Sequence, residues 1–213
     1  MPKATYFRLP AEKRHRLMDA AVQEFTRAPF AKASVSNIIQ TAGIPRGSFY
    51  QYFEDKQDIF FFMLQDLGKD LGKGMLTHLD ADHGDLITGL RDFFDDLLEQ
   101  VVTGPHADLF RNVFVYMDYH SAARTMYGDA KPEHHHEKHK LVMSQLIPRI
   151  DRTNLAISSD RELLMLIHVS FTWFMQVLAN YYGAKDTDRE VSIEDVKASV
   201  ATVLDWLEHG VAK

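Results

Sequence analysis

The chain has 213 residues, of which 46% are hydrophobic and 25% are charged, and it contains no cysteine. This composition is typical of a globular protein, and the lack of cysteine excludes disulfide bonds, thiolate zinc sites and cysteine nucleophiles. The net charge of −6 alone argues against a nucleic-acid partner, but the charges are unevenly distributed. Residues 1–56 carry nine Lys/Arg against five Asp/Glu, whereas residues 57–213 carry fifteen against twenty-five, so the amino-terminal quarter suits a polyanion.

The sequence shows no pattern typical of secretion or of membrane insertion. Met1–Pro10 lacks the apolar core of a signal peptide. The longest unbroken apolar run, Ile59–Leu64, is far shorter than the roughly 20 residues that span a bilayer. We therefore expect a cytoplasmic protein with no membrane partner.

Apolar residues recur at spacings of three and four along nearly the whole chain, which predicts an all-α fold. Four helices are predicted first, at about 11–27, 34–41, 45–53 and 56–78. Five segments follow, at roughly 84–103, 106–127, 133–150, 160–183 and 192–209, separated by breaks rich in turn-forming residues. The domain boundary is placed inside the fourth helix, because no flexible linker separates the halves. Residues 1–56 are expected to form one domain and residues 57–213 the other.

Residues 34–53 have the pattern of a helix-turn-helix, whose second helix can enter the major groove of DNA. Ser34 is a good N-cap, Gly43 allows positive φ in a tight turn, and Pro45 suits the start of the next helix. Ser34 and Ser36 are expected to present hydroxyls and unpaired N–H groups to a phosphate. The apolar positions are expected to form the core of the motif: Ile38, Ala42, Ile44, Phe49 and Phe53.

The second helix of the motif carries residues whose chemistry suits DNA recognition. Arg46, in its first turn, can place its guanidinium on O6 and N7 of a guanine, and Ser48 can contact a base edge or a phosphate. Tyr50 and Tyr52 can donate their hydroxyl hydrogens to phosphates. Lys56 adds a positive charge at the start of the following helix.

The stretch 34–56 resembles the DNA-binding signature of the TetR family of bacterial repressors, and the resemblance covers about residues 11–60. It is carried by Ile38, Ala42-Gly43-Ile44, Gly47-Ser48-Phe49-Tyr50, Tyr52-Phe53 and Lys56. Ile39 departs from the pattern, because the family usually has a small alanine where the two motif helices touch. The resemblance implies one set of base contacts and one set of backbone contacts on double-stranded DNA. These sets are Arg46, Gly47, Ser48 and Gln51 for bases, and Ser34, Ser36, Tyr50, Tyr52 and Lys56 for the backbone.

A single helix-turn-helix makes few phosphate contacts, so we expect a homodimer on a palindromic operator, with recognition helices roughly 34 Å apart. The last helix has an apolar stripe suited to helix packing, and the helix before it is apolar nearly all round. In the resembled family these two helices pack against their symmetry mates as a four-helix bundle. The predicted dimer interface is Phe174, Leu178, Ile193, Val196, Val200, Val203 and Leu207.

Residues 57–182 are rich in large aromatic side chains and methionine, which can line a pocket for a small apolar or aromatic effector. Such residues also fill the cores of helical proteins, so the existence of a pocket follows from the family resemblance. His120 and His168 are its polar candidates, interpreted as histidines among apolar neighbours. The predicted effector contacts are Phe93, Phe110, Phe114, Met117, His120, Tyr127, His168, Phe171 and Phe174.

The run His134–His139 contains two histidines, His135 and His139, that would share a helix face as two zinc ligands do. A metal site needs a third ligand and supporting contacts, and lysines flank this run, so we interpret it as a solvated helix start. No metal site and no cofactor are therefore predicted. A metal-responsive regulator that uses this run stays open as an alternative.

The sequence thus predicts an all-α protein with two parts: a three-helix helix-turn-helix domain, and a helical ligand-binding and dimerisation domain reached through a long helix. Its predicted function is that of a repressor released from its operator by a small effector. A transcriptional activator of the same fold is the other alternative. No phosphate loop, nucleophile elbow, paired zinc motif or acid/base pair was found, so no enzymatic activity is predicted.

Overall fold

The computed structural model of the chain describes residues 2–116, 144–186 and 191–210. Every regular element among these residues is a helix, and the predicted all-α class is confirmed. A 3₁₀ turn at Ile147–Arg149 lies between the seventh and eighth helices. The α-helices are α1 (Ala4–Phe7), α2 (Ala11–Arg27), α3 (Val35–Ala42), α4 (Arg46–Tyr52), α5 (Lys56–Ala81), α6 (Leu86–Thr103), α7 (Ala107–Tyr116), α8 (Asp160–Asp186) and α9 (Ile193–His209).

The predicted helices at 11–27, 34–41, 45–53, 56–78, 84–103, 160–183 and 192–209 are confirmed, with ends that differ by a few residues. Helix α1 was not predicted, because four residues are too few to show a helical period. Of the predicted segments 106–127 and 133–150, only residues 107–116 and 144–150 belong to the part that the structure describes.

The chain divides into two compact units. Among the described residues, the first unit contains 2–70 and 105–116, and the second contains 71–104, 144–186 and 191–210. Among the described residues, one division falls inside α5, between Asp70 and Leu71, and another falls between Gly104 and Pro105. Helix α7 therefore belongs to the unit of the helix-turn-helix, whereas the proposed functional boundary at 56/57 stays a prediction.

The core of the first unit is formed by aromatic and aliphatic side chains from α1 to α5 and from α7. Phe25, Phe49 and Phe53 are at most 1% exposed, and Leu109 and Val113 bring α7 into the same cluster. The amide of Asn112 on α7 donates to the carbonyls of Phe25 and Thr26, at 2.9 Å each. Since the last carbonyls of a helix have no partner within it, α7 caps the carboxyl end of α2.

The second unit is built from α6, α8, α9 and the end of α5. Its centre is aromatic: the rings of Phe94 and Phe174 stack with centroids 4.4 Å apart. The buried hydroxyl of Tyr182 donates to the carbonyl of Val101 at 2.7 Å, which ties α8 to the end of α6. The turn between α5 and α6 requires glycine at position 84, where φ is +88° and a Cβ would collide with a carbonyl oxygen.

One described helix, over Asp160–Ala184, is long and apolar enough to cross a membrane by length and composition. A core helix of a soluble protein passes the same test, so this is weak evidence for a membrane span. The helix also packs against α6 and α9 within its own unit.

Candidate DNA-binding surface

The turn between α3 and α4 has the geometry that the sequence predicts. Gly43 has φ +63° and ψ 38°, a left-handed conformation that favours glycine. The N–H of Ile44 donates to the carbonyl of Ile39 at 3.0 Å across this turn. Of the predicted core residues, Ile38, Ala42, Phe49 and Phe53 are fully buried, while Ile44 is half-buried against them.

Helix α4 turns one continuous face outward. Arg46, Gly47, Tyr50 and Gln51 are exposed, and their spacing of one, three and one residues places them on one side of a helix. The guanidinium carbon of Arg46 lies 5.9 Å from the centroid of the Tyr50 ring. A Cβ added at Gly47 would meet no atom within 4 Å, so packing within the chain does not require glycine there.

Two of the predicted DNA contacts on α4 are less exposed than the other four. Ser48 and Tyr52 are half-buried, and Tyr52 packs against the core of the unit. They are four residues apart and thus share the flank of α4 next to its buried face. Their contact with DNA stays a prediction, as does that of the exposed residues.

The backbone N–H groups at the amino end of α3 have hydrogen-bond partners, although the sequence predicted that they are unpaired. The N–H of Ser34 donates to Oε1 of Glu24 at 2.7 Å, and the N–H of Ser36 donates to Oγ of Ser34 at 3.1 Å. The prediction of free N–H groups at Ser34 and Ser36 was therefore wrong, because a carboxylate and the N-cap hydroxyl already occupy them. The side chain of Ser36 is exposed, and its contact with a phosphate stays a prediction.

Glu24 is a buried carboxylate that holds α2, α3 and the loop between them together. Its side chain is 4% exposed and accepts two hydrogen bonds from Arg27, at 2.7 and 2.8 Å. The amide of Asn37 donates to both of its oxygens, at 3.1 and 3.2 Å. The hydrogen bond from Arg27 is the largest influence on the pKa of Glu24, which these donors hold below its ordinary value despite burial.

The sequence interpretation missed Glu24 and Asn37. Glu24 and Arg27 form a visible pair three residues apart, but such pairs are common on exposed helix faces. Only the packing of α3 against α2 buries this carboxylate.

Lys56 is engaged within the chain. Its ammonium donates to the carbonyls of Phe30, at 2.6 Å, and Ala33, at 2.9 Å, and lies 4.5 Å from the centroid of the Phe30 ring. The sequence interpretation assigned this charge to a DNA phosphate. The structure gives it a different task, because loop carbonyls left without helical partners bind the ammonium and hold the α2–α3 connection.

The predicted effector contacts are dispersed. Phe93, Phe171 and Phe174 meet in the second unit, where Phe93 and Phe171 have centroids 5.8 Å apart and both pack near Phe94. Phe110 and Phe114 lie on α7 in the first unit, and Met117, His120 and Tyr127 lie outside the described residues. His168 is exposed on α8 and thus lies outside the buried core of the second unit, and its contact with an effector stays a prediction.

Most of the predicted dimer residues fill the core of the chain itself. Phe174, Leu178, Val196 and Val200 are at most 4% exposed, and Ile193, Val203 and Leu207 are half-buried. For the four buried residues the interface assignment was wrong, because their stripe faces inward. The large apolar side chains that α8 and α9 do expose are not among the predicted interface residues. They are Met165, Val169 and Trp173 on α8, and Trp206 on α9.

The His134–His139 run lies outside the described residues. Within the described ranges, no group of three or more His, Cys, Asp or Glu side chains is arranged to hold a metal ion. The metal-responsive alternative therefore stays a prediction.

Comparison with protein families gives two matches. Residues 17–62 match the family described as bacterial regulatory proteins, tetR family, and residues 85–211 match the tetracyclin repressor-like C-terminal domain. The chain is 27% identical to the HTH-type transcriptional regulator AcrR of Shigella flexneri over 105 residues, which are 49% of each chain. It is 44% identical to the uncharacterised HTH-type transcriptional regulator YdgC of Bacillus subtilis over 55 residues, 26% of this chain and 28% of YdgC. The chain thus spans about half or less of the length of these relatives.

Solved structures share the fold. The fatty acid degradation regulator FadR of Bacillus halodurans has a TM-score of 0.61 at 19% identity, covering 93% of this chain and 99% of that one. A TetR-family transcriptional regulator from Pectobacterium atrosepticum has a TM-score of 0.60 at 21% identity, covering 94% of each chain. Because one family match alone spans more than half of the sequence, the chain belongs to the TetR family of DNA-binding transcriptional regulators.

Proposed function

We propose that this regulator is a cytoplasmic homodimeric repressor without enzymatic activity. It reads a palindromic operator through the outward face of α4, defined by Arg46, Gly47, Tyr50 and Gln51. A small apolar or aromatic effector, bound by the second unit, releases it from the operator. The observation that carries the proposal is the composition of this face. Three exposed side chains that can form hydrogen bonds, those of Arg46, Tyr50 and Gln51, lie on the same side of α4 as Gly47, where a Cβ would meet no atom within 4 Å.

The chemistry of the face suits duplex DNA. A guanidinium can make two hydrogen bonds to one guanine, and a glutamine can make two to one adenine. The tyrosine hydroxyl suits a phosphate, which fixes the register of the helix without reading sequence. The charge of the amino-terminal quarter supports the same partner, with nine Lys/Arg against five Asp/Glu in residues 1–56.

Dimerisation is proposed through the exposed apolar side chains of α8 and α9. Met165 is 59% exposed, Val169 50% and Trp173 38%, and they follow one another at intervals of four residues along α8. Trp206 on α9 is 53% exposed. A contiguous apolar helix face of this kind is typical of a surface that a second helix covers.

Effector binding is proposed in the second unit, near the aromatic cluster of Phe93, Phe94, Phe171 and Phe174. Phe171 is half-buried, whereas Phe93 and Phe174 are buried, so an apolar ligand would enter beside Phe171. Such a ligand releases DNA only if it binds more tightly to a dimer whose recognition helices do not match the spacing of the operator than to one whose helices do.

The DNA-binding part of the proposal is tested by selecting bound duplexes from random DNA and measuring affinity for the selected operator. The double variant Arg46→Ala/Tyr50→Ala should abolish operator binding and leave thermal unfolding unchanged, since both side chains are exposed. Arg161→Ala, which removes an exposed arginine from the start of α8, is the matched control and should bind normally. Unchanged binding by the double variant would refute the assignment of α4.

The dimer is tested by sedimentation of Val169→Glu. A buried, unpaired charge in the interface is strongly unfavourable, so this variant should sediment as a monomer that keeps its helix content. Ala156→Glu adds the same charge at an exposed position just before α8 and should leave the dimer intact. A dimeric Val169→Glu protein would remove this face from the proposal.

A further inference from the structure

The carboxyl end of α4 is capped by the segment that precedes α2. The last four carbonyls of a helix have no partner within it, and in α4 these belong to residues 49–52. The carbonyl of Phe49 accepts from the N–H of Phe53 at 2.9 Å. The remaining three accept hydrogen bonds from residues that lie more than forty positions earlier in the chain.

Lys3 and Thr5 supply these three hydrogen bonds. The ammonium of Lys3 donates to the carbonyl of Tyr50 at 2.9 Å, and its backbone N–H donates to the carbonyl of Tyr52 at 2.8 Å. The hydroxyl of Thr5 donates to the carbonyl of Gln51. Every orphan carbonyl of α4 is therefore satisfied, and a cation sits at the end of the helix where the backbone dipoles leave partial negative charge.

The segment of residues 2–9, which we call the cap segment, is anchored to the core of the first unit. Tyr6 is 4% exposed, and its ring centroid lies 5.1 Å from that of Phe53 and 5.2 Å from that of Phe62. Pro2 is also buried. This anchoring fixes the donors of Lys3 and Thr5 relative to α4. The family match begins at residue 17 and thus does not include the cap segment.

We propose that the cap segment is part of the DNA-reading machinery, with Lys3 and Thr5 as positioning residues for the base-contacting side chains of α4. This inference rests on the proposed role of α4 in operator binding. A helix of seven residues is too short to be stable by itself, so its last turn depends on outside partners. That turn carries Tyr50 and Gln51, whose carbonyls receive the hydrogen bonds and whose side chains belong to the outward face.

Positioning differs from direct contact in a measurable way. If Lys3 instead neutralised a phosphate, its removal would lower the salt dependence of binding by about 0.9 in the slope of log K against log salt. A positioning role predicts that Lys3→Met weakens specific binding and keeps the slope. Thr5→Val changes no charge, so it isolates the hydrogen bond to Gln51 from any electrostatic effect.

The experiment compares Thr5→Val with Thr5→Ser in the full chain, using the selected operator and a scrambled duplex of equal length. Thr5→Val should bind the operator about threefold to tenfold more weakly, the worth of one hydrogen bond, with scrambled DNA bound as before. Thr5→Ser retains the hydroxyl and should bind within about twofold of the parent. Thr5 is exposed, so both variants should fold; Thr5→Val loses a hydrogen bond of the free protein and should unfold at a temperature only a few degrees lower.

Two results would overturn the inference. The first is that Thr5→Val and Lys3→Met bind the operator with the same affinity as the parent. The second is that these variants lose affinity equally for the operator and for scrambled DNA. The double variant Arg46→Ala/Tyr50→Ala is measured beside them. If it loses operator binding while Thr5→Val and Lys3→Met do not, the inference alone fails. If it binds as the parent does, the proposed role of α4 fails and the inference fails with it.

Discussion

Both units of this regulator have aromatic cores, but they differ in the charged groups that tie their helices together. In the first unit, Glu24 joins α2 to α3 and Lys56 fixes the loop between them, each through several hydrogen bonds to one charged group. In the second unit, the stacked rings of Phe94 and Phe174 form the centre, and the ion pair of Lys197 with Glu99 lies at the surface. Replacing one such buried charge leaves several hydrogen-bonding groups without a partner at once, which costs more than the loss of an exposed ion pair. The first unit should therefore be sensitive to single substitutions that preserve the size of a side chain.

The largest expected effect is that of Glu24→Gln. The substitution keeps the size of the side chain but removes the charge that binds Arg27, and it places an amide N–H₂ where an acceptor is needed. The free energy of unfolding should fall by about 2–3 kcal/mol, the usual worth of hydrogen bonds to a charged buried group. Because the folded pKa of Glu24 is lowered, its stabilisation is present above the ordinary pKa and is lost as pH falls through the folded one.

Glu99→Gln is the matched control for Glu24→Gln. It makes the same chemical change in the second unit, where the carboxylate pairs with Lys197 and is 61% exposed. Exposed ion pairs contribute little, so urea unfolding should be nearly unchanged. Equal destabilisation by the two substitutions would break the comparison between the units.

An effect of similar size concerns Tyr6, which anchors the cap segment. Burial, helped by the nearby charge of Asp66, raises the pKa of its hydroxyl to about 12. An unfolded tyrosine ionises near pH 10, so the stabilisation is fully present below about pH 10 and is lost as pH rises through 12. The parent should lose about 2–3 kcal/mol of stability over this interval. Urea unfolding of Tyr6→Phe should lack this loss, whereas Tyr50→Phe should retain it; an equal alkaline loss in Tyr6→Phe would contradict the assignment.

The sequence predicted the all-α fold and the turn between α3 and α4 well, because local patterns determine both. Gly43, Pro45 and the apolar spacing of the motif specify a turn and two short helices without reference to the rest of the chain. The bonds of Glu24 to Ser34 and Asn37 could not be predicted, and neither could the partners of Lys3 and Lys56, since each of these bonds joins segments that lie apart in the sequence. Four of the seven predicted dimer residues were wrong for a related reason. A stripe on α9 shows that one face is covered, but the sequence does not say whether α6 and α8 or a second chain covers it.

The smallest change, Gly47→Ala, tests most directly the claim that the outward face of α4 lies against DNA. A Cβ at this position meets no atom of the chain, and alanine is about 0.5–1 kcal/mol better than glycine inside a helix. The variant should therefore unfold at the same or a slightly higher temperature. Its operator affinity should fall by about tenfold or more, since steric overlap in a packed interface costs about 1–3 kcal/mol. Unchanged or tighter operator binding by a fully folded Gly47→Ala protein would contradict the account.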